Sequence, residues 1–554
     1  MKKIYIILIT LILILFGAVF QNIAMFRTGM SYSYGIGYWG PLARDGVWHE
    51  ALVAQLNKHI SPQNPGLAGN ALINYHYYYD LTVSLIHHLG IPSNILIYII
   101  LPIIFSVLLG IGTYKLADVL FENKFVSILS VFFAYFASSF GWVVSLLKGQ
   151  AIAGESDFWA NQPVSMNLNP PYAISLVMII FIILFVNSYL KRSTFIKAFF
   201  IIILSGTLIE FKVYAGAILL GGLFVLAIKR LYFNRDFKLI IISIFSIILS
   251  LIVFIPQNKQ SLGLIEVNPF WLVNTMIDAG DRVGIASLSS KRFTYQESHQ
   301  YIKFAAVEAI GFLIFFIGNL GTRIVGLFGL KRKQLTSDIF IFIFAMMLAS
   351  FIPVLIFTQK GNPWNIIQFF YYFLYFVGLF SAFALRKANW ILVTLIILIT
   401  PISSISTFRG WFYTNPPAYL SSKEYQALKY LSAQPDGIVL KHPFDPNMRS
   451  QYKDPFPIAV YADNSYVSAF SGKTVFIEDA EQQIVLNTNY RTRLDDADRF
   501  FIEKDLKWSS KFLEDNNIKY IYLPKIYHLP MAEQEYPMRK IFENEDVKIY
   551  DVIK

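Results

Sequence analysis

The sequence predicts an α-helical polytopic membrane protein with about eleven transmembrane helices, followed by a C-terminal α/β domain outside the membrane. Three observations predict it. Of the 554 residues, 55% are hydrophobic and only 15% charged, where soluble domains carry about 25% charge. The apolar residues gather in runs near the roughly 20 residues that a bilayer span needs. The Lys and Arg residues between those runs fall on alternate links, as retention in cytoplasmic loops requires. The net charge of +11 would suggest nucleic acid in a soluble basic domain. Here it is divided among short links, so no nucleic-acid partner is expected. The chain has no cysteine, which excludes disulfides and cysteine-ligated metals.

The first apolar run, Ile4 to Phe20 after Met1-Lys2-Lys3, is long for a signal peptide and lacks a small-x-small site after it. It is expected to stay as the first span. Further spans are expected at 93–114, 125–147, 171–190, 197–211, 213–228, 239–256, 304–330, 338–358, 366–385 and 389–407. The pair 197–211 and 213–228 is short enough to be a hairpin that does not fully cross. Lys115 with Lys124, Lys191 with Arg192, Lys229 with Arg230, Lys331 to Lys333, and Arg386 with Lys387 all fall on one side if the N-terminus is inside. Segments 21–92, 148–170, 257–303, 359–365 and 408–554 are then outside, and surface chemistry is expected there. The domain reading is 1–407 for the membrane module with its outer loops and 408–554 for the tail. Usage rich in Ile, Lys, Phe and Asn suits an AT-rich prokaryotic genome, so a bacterial cytoplasmic membrane is expected.

In the first outer segment, Arg44-Asp45-Gly46-Val47-Trp48-His49-Glu50 packs four ionisable residues around a tryptophan. A helix is expected from about Asp45, where an acid also suits the helix dipole as a plain N-cap. His49, four residues on, would share the face of Asp45. Ser61-Pro62-Gln63-Asn64-Pro65-Gly66 breaks the chain, and a second helix is expected from about Ala71 to Leu89, carrying Tyr75 to Asp80 along the headgroups. The second outer segment holds Glu155 and Asp157, and the third Asp278, Asp281 and Arg282. The fourth reads Lys360-Gly361-Asn362-Pro363-Trp364. Glu210 and Lys212 are expected as a local pair at an aqueous turn. In the tail, Ser421-Ser422-Lys423-Glu424 is a capping box before a helix to about Leu431. Strands are expected at 437–440, 458–461, 474–477, 520–523 and 547–550, alternating with helices at 495–504 and 509–516.

A sugar carried on a polyprenyl phosphate is met only at the membrane surface. Its transfer to a hydroxyl needs a base for the acceptor proton, donors for the leaving phosphate and a groove for the lipid tail. Asp45 is the candidate base, with His49 and Glu50 as helpers. Arg44, Lys148 and Lys360 are candidates for the phosphate; His76, Glu155, Asp157 and Trp364 are candidates for substrate binding. His49, His76 and Asp80 make only a weak metal pattern, so no metal ligand is assigned, although a divalent ion is compatible with Glu155 and Asp157.

The Asp45-to-Glu50 stretch after one span, the Glu155-to-Asp157 loop, the many spans and the external tail resemble the GT-C class of membrane glycosyltransferases. That class includes protein mannosyltransferases and lipid A aminoarabinose transferases. The resemblance implies a hexosyl- or pentosyltransferase with a polyprenyl-phosphate sugar as donor and a glycan, lipid or protein as acceptor. It also implies catalysis by an outer-loop acid, a role that falls on Asp45, with a second acid at Glu155 or Asp157. It departs from the class in having Asp45-Gly46 where paired acids are usual. The alternative is a non-catalytic transporter or scaffold for envelope polysaccharide or lipid. Transporters gather ionisable sites at the midplane within repeats, and neither is legible here.

Overall fold

The computed structural model describes residues 2–152, 155–159, 162–259, 261, 264–329, 336–413 and 415–553; the side chains of Lys2, Lys3, Glu155, Ser156 and residues 411–413 are outside that description. The chain divides into two compact units. One holds Met1–Ile23, Pro102–Pro256 and Leu262–Phe412; the other holds Ala24–Leu101, Gln257–Ser261 and Tyr413–Lys554. The sequence-based division at 407/408 keeps the first outer segment with the membrane module, whereas the structure groups it with the tail.

The first unit is helical. Each of the eleven expected spans is helical, but they are not equal in length. Among the described residues, eight helices are long and apolar enough to cross a membrane, or nine if Lys124–Phe136 and Gly141–Leu147, bent by 51° at their break, count as one span. Phe195–Phe211 and Lys238–Phe254 have 17 residues each. The bend is specific. Where the helix breaks, its freed backbone groups are taken up by neighbours, the condition for irregular backbone at membrane depth. Ser138 N–H donates to the Thr400 carbonyl at 3.2 Å, Phe140 N–H to the Gly318 carbonyl at 2.8 Å, and Ser403 Oγ to the Ser139 carbonyl at 3.0 Å. Gly321 has φ +55°, and a Cβ there would lie 2.2 Å from the Ser138 carbonyl oxygen, so only glycine fits.

Elsewhere this unit packs by rings. Phe351 stacks on Phe373 at 4.9 Å and Phe370 on Phe373 at 5.3 Å. Asp338 pairs with both Lys229 and Arg230, and Arg230 also reaches Asp236 at 2.9 Å. The expected open turn at Glu210 and Lys212 is instead closed: both side chains are buried, and Lys212 Nζ donates to Asn169 Oδ1 at 3.2 Å. Burial there follows from Asn169, which caps the helix Pro170–Lys191 and also serves the lysine.

The second unit is α/β and contains two four-stranded sheets. In the first, Met30–Tyr32, Gly35–Tyr38 and Ala418–Ser421 pair antiparallel, and Phe456–Pro457 is added in parallel. In the second, the order is Ile438–Lys441, Ile518–Pro524, Val547–Val552, Met538–Glu543. Ser421 caps the helix Ser422–Ser432 by accepting from Glu424 N–H at 2.9 Å, as the capping box predicts. The loop after Ser61 is stitched to the tail. Gly66 O accepts from Glu478 N–H at 2.9 Å, Ala68 N–H donates to Val475 O at 2.9 Å, and the Asn64 and Gln483 amides meet at 2.7 Å. Leu67 joins Leu440, Phe476, Phe500, Phe512 and Ile521 in one core.

Three expectations change. The second outer-loop helix runs Tyr78–His87, starting later than Ala71, because Asn74 takes a left-handed φ of 56° and its amide donates to the Leu486 carbonyl at 2.8 Å. Residues 458–461 form a short helix after Pro457 in place of a strand. Residues 474–477 contribute only an isolated parallel bridge, Val439 to Val475.

Candidate active site

In the second unit, the helix Asp45–Leu56 begins at the candidate acid as expected, and ten of its twelve residues are buried. Asp45 itself is exposed. The acids around it are committed elsewhere. His49 is buried with its Nδ1 2.7 Å from Asp80 Oδ1, and its ring meets Tyr79 edge-on. Burial pushes the Asp80 carboxyl up, against the pull of His49. His49 therefore faces inward to Asp80, although it sits four residues from Asp45. Glu50 is also buried; Tyr98 donates to its Oε1 at 2.6 Å and Tyr38 at 3.3 Å. Burial raises Glu50 to about 7 despite those phenols.

The tail adds groups that sequence reasoning did not place here. Arg44 pairs with Glu481. Asp479, almost wholly buried, accepts from Ser465 Oγ at 3.1 Å and from Gln482 N–H at 3.1 Å. It is raised to about 8 by burial and by Asp463, with Arg44 opposing. Asp463 in turn accepts from the backbone of Asp479 and, at 2.7 Å, Ala480. Tyr75 lies in the electrostatic reach of Asp80, Asp45 and Asp479, edge-on to Trp48 at 5.7 Å and stacked on His76 at 4.9 Å. The tail residues lie more than 400 positions beyond Asp45, and nothing local in the sequence signals them.

In the first unit, the residues of the second, third and fourth outer segments meet. Lys148 Nζ donates to the Gly280 carbonyl at 3.1 Å and to the Arg282 carbonyl, and lies 3.9 Å from Asp157 Oδ1. Burial raises Asp157, opposed by Lys148, Ser145 and Arg282. The Arg282 guanidinium lies 4.0 Å from the Trp159 ring centre and 5.2 Å from that of Trp364. Those two rings stack at 5.1 Å, and Trp271 meets Trp364 edge-on at 5.2 Å. Beside this group is an apolar cleft of about 320 Å³, lined by Phe140, Val143, Val144, Phe158 and the face Ile310 to Gly318. Gly318 lets Phe158 lie against its helix, since a Cβ there would meet the ring at 2.1 Å.

Lys360 is exposed, its backbone laddered to Leu264 at 2.8 Å. Glu155 opens a short helix, and its side chain is outside the described residues. Among the described residues, no group of three or more His, Asp and Glu side chains is placed to hold a metal ion.

No protein-family model matches the chain, and no curated protein matches it. Solved structures do resemble it. The archaeal oligosaccharyltransferase AglB from Archaeoglobus fulgidus, in complex with an inhibitory peptide and a dolichol-phosphate, is 14% identical with a TM-score of 0.47, over 94% of this chain and 70% of that one. The Archaeoglobus fulgidus oligosaccharyltransferase in complex with Zn and sulfate is 13% identical with a TM-score of 0.48, over 92% and 68%. The same enzyme tethered to an acceptor peptide containing the NVT sequon gives 12% and 0.46, over 93% and 69%.

Proposed function

We propose that the protein is a membrane glycosyltransferase that moves a sugar from a polyprenyl-phosphate donor to a hydroxyl acceptor outside the membrane, with Asp45 as the base. One observation carries this reading. Asp45 is exposed at a helix start, while Glu50, Asp80 and Asp479 are buried. An acid open to substrate, beside acids that are not, is the one able to take a proton from an acceptor hydroxyl.

In the reaction, the acceptor O–H gives its proton to the Asp45 carboxylate as its oxygen bonds the anomeric carbon. The bond from that carbon to the phosphate oxygen breaks, and the lipid phosphate leaves with the electron pair. Negative charge grows on the departing phosphate; within the first unit, Lys148, Arg282 and the exposed Lys360 are the cations suited to a phosphate by charge-assisted hydrogen bonds. The apolar cleft lined by Phe158 and Ile310 to Gly318 suits the lipid tail. His49 with Asp80, and Glu50 with its two tyrosines, act as positioning residues that hold the helix under Asp45. Arg44, His76, Asp157, Trp364 and Glu155 are assigned to substrate contacts. The N-terminus is placed inside and the tail outside by the basic links.

The test is Asp45→Asn in membranes supplied with labelled polyprenyl-phosphate sugar. Transfer should fall by about 100- to 10,000-fold while protein level and melting stay as in the wild type. Undiminished turnover removes Asp45 from the mechanism.

A further inference from the structure

Of the three cations suited to a phosphate, Lys148 is the one whose donors are already engaged. Arg282 lies in the turn between the helices Trp271–Asp278 and Ala286–Glu297. That turn folds back on the first helix. Val283 N–H donates to the Met276 carbonyl at 3.0 Å and Ile285 N–H to the Ile277 carbonyl at 2.8 Å. Gly284 takes a left-handed φ of 65° to make the reversal, a conformation open to glycine. Val283 is buried with Phe158 and Ile277, and Val144 packs against them. The carbonyls of Gly280 and Arg282 are met from another segment.

That segment supplies Lys148, at the C-terminus of the helix Gly141–Leu147, an end that favours a cation. Its Nζ donates to the Gly280 carbonyl at 3.1 Å and to the Arg282 carbonyl, with Asp157 Oδ1 3.9 Å away. An ammonium has three N–H groups. Two are engaged by carbonyls, and a buried carboxylate answers the charge. A phosphate could take Lys148 only by releasing the turn. Arg282 is placed differently. It stands over the Trp159 ring, and its partner Asp281, 3.2 Å away, is 72% exposed. An exposed ion pair of that kind is weak, so Asp281 gives way to a phosphate.

We propose that Lys148 is a positioning residue that acts through Arg282. It clamps the Gly280 and Arg282 carbonyls, so that the guanidinium is held over Trp159 before the donor arrives. The kinetic consequence rests on the transferase reading above; the clamp does not.

The test therefore has two readouts on the full-length protein in nanodiscs. The first is hydrogen exchange, which needs no activity and reports local opening of the turn. In Lys148→Met, which keeps the apolar stem, the Val283 and Ile285 amides should exchange about tenfold faster, the worth of one charge-assisted hydrogen bond. Lys360→Ala should leave them unchanged. The second is the donor KM in a double-mutant cycle with polyprenyl-phosphate sugar. Lys148→Met and Arg282→Ala should each raise it by about tenfold, and the double variant no further than the larger of the two. Unchanged exchange in Lys148→Met overturns the clamp. A double variant near a hundredfold overturns action through Arg282 and gives Lys148 its own contact with the phosphate. Absence of transfer by the wild type removes the transferase reading alone, and the exchange result still decides whether Lys148 holds the turn. If Lys148→Met fails to fold, Lys148→Gln, which retains one donor group, carries both measurements with smaller changes in the same direction.

Discussion

The acids around Asp45 and the cations around Arg282 are held in opposite ways. Asp463, Asp479 and Glu50 are fixed by hydrogen bonds from amides, a serine and phenols, and burial pushes Glu50 and Asp479 toward their neutral forms. Arg282 and Lys148 are held by ring faces and backbone carbonyls, with Asp281 3.2 Å from the Arg282 guanidinium and Asp157 3.9 Å from the Lys148 ammonium. Burial closes Glu50 and Asp479 to substrate, whereas Asp45 is exposed to it. Aromatic faces preserve a guanidinium's charge, so the whole Arg282 group is suited to an anion.

Breaking the first half of that comparison gives the largest effect. Asp45→Asn keeps size and shape but removes the base. Transfer should fall by about 100- to 10,000-fold, the usual worth of a positioned general base. His49→Ala should instead lower the melting temperature along with turnover, because it leaves Asp80 buried without its partner. Should His49→Ala cut turnover with no loss of stability, its role is catalytic and the contrast between exposed and committed groups fails.

The buried acids predict a pH dependence. Glu50 holds its proton more tightly folded, near 7, than in the unfolded chain, near 4.5. The folded state then binds more protons between those values, so stability falls as pH rises through that window and levels off above about 7. For Glu50 alone the loss is on the order of 3 kcal/mol. Asp479, raised to about 8, extends the decline. Glu50→Gln keeps an acceptor for Tyr98 and removes the titration. Melting curves at pH 5.5 and 8 should lie closer together in that variant than in the wild type; an unchanged gap refutes Glu50 as a contributor.

These two sites were not equally legible. Asp45 at a helix start could be read because the dipole's preference for an acid in the first turn is local, although Arg44 and not Asp45 takes the N-cap place; the capping box at Ser421 was legible because capping is local too. The spans were legible as apolar runs, but run length alone did not separate the eight long helices from the two of 17 residues or reveal the bend after Phe136. Trp364, Asp157 and Lys148 were singled out separately. Their meeting with Arg282 and Trp159 joins segments more than 200 residues apart, which periodicity cannot encode. Asp479 and Asp463 were missed for the same reason. The strand expected at 458–461 failed because Pro457 sits just before it, and proline is well suited to the residue before or at a helix start.

Gly318 tests the cleft by packing alone. Gly318→Ala places a methyl against Phe158, and overpacking of this kind costs about 1–3 kcal/mol. Alanine's better helix propensity returns about 1 kcal/mol. A lower melting temperature, with weaker binding of long-chain donors than of short-chain ones, is expected. Higher stability would mean Phe158 swings away and the cleft is not fixed by that contact.

The smallest effect separates the two kinds of cation. Arg282 is held between Trp159 and Trp364 with its side chain 12% exposed, so its orientation is set before substrate arrives. Lys360 is exposed and only its backbone is laddered, so it must be ordered on binding, and that entropy offsets its charge. Arg282→Ala should raise the donor KM by about tenfold, one charge-assisted hydrogen bond. Lys360→Ala should raise it less and lose its effect in high salt, as screening acts on exposed charges first. Arg282→Lys should not rescue, since an ammonium cannot match a planar guanidinium between two rings. Rescue by lysine, or a larger effect at Lys360, would show that the phosphate is met by loose surface charge and that the tryptophans only pack.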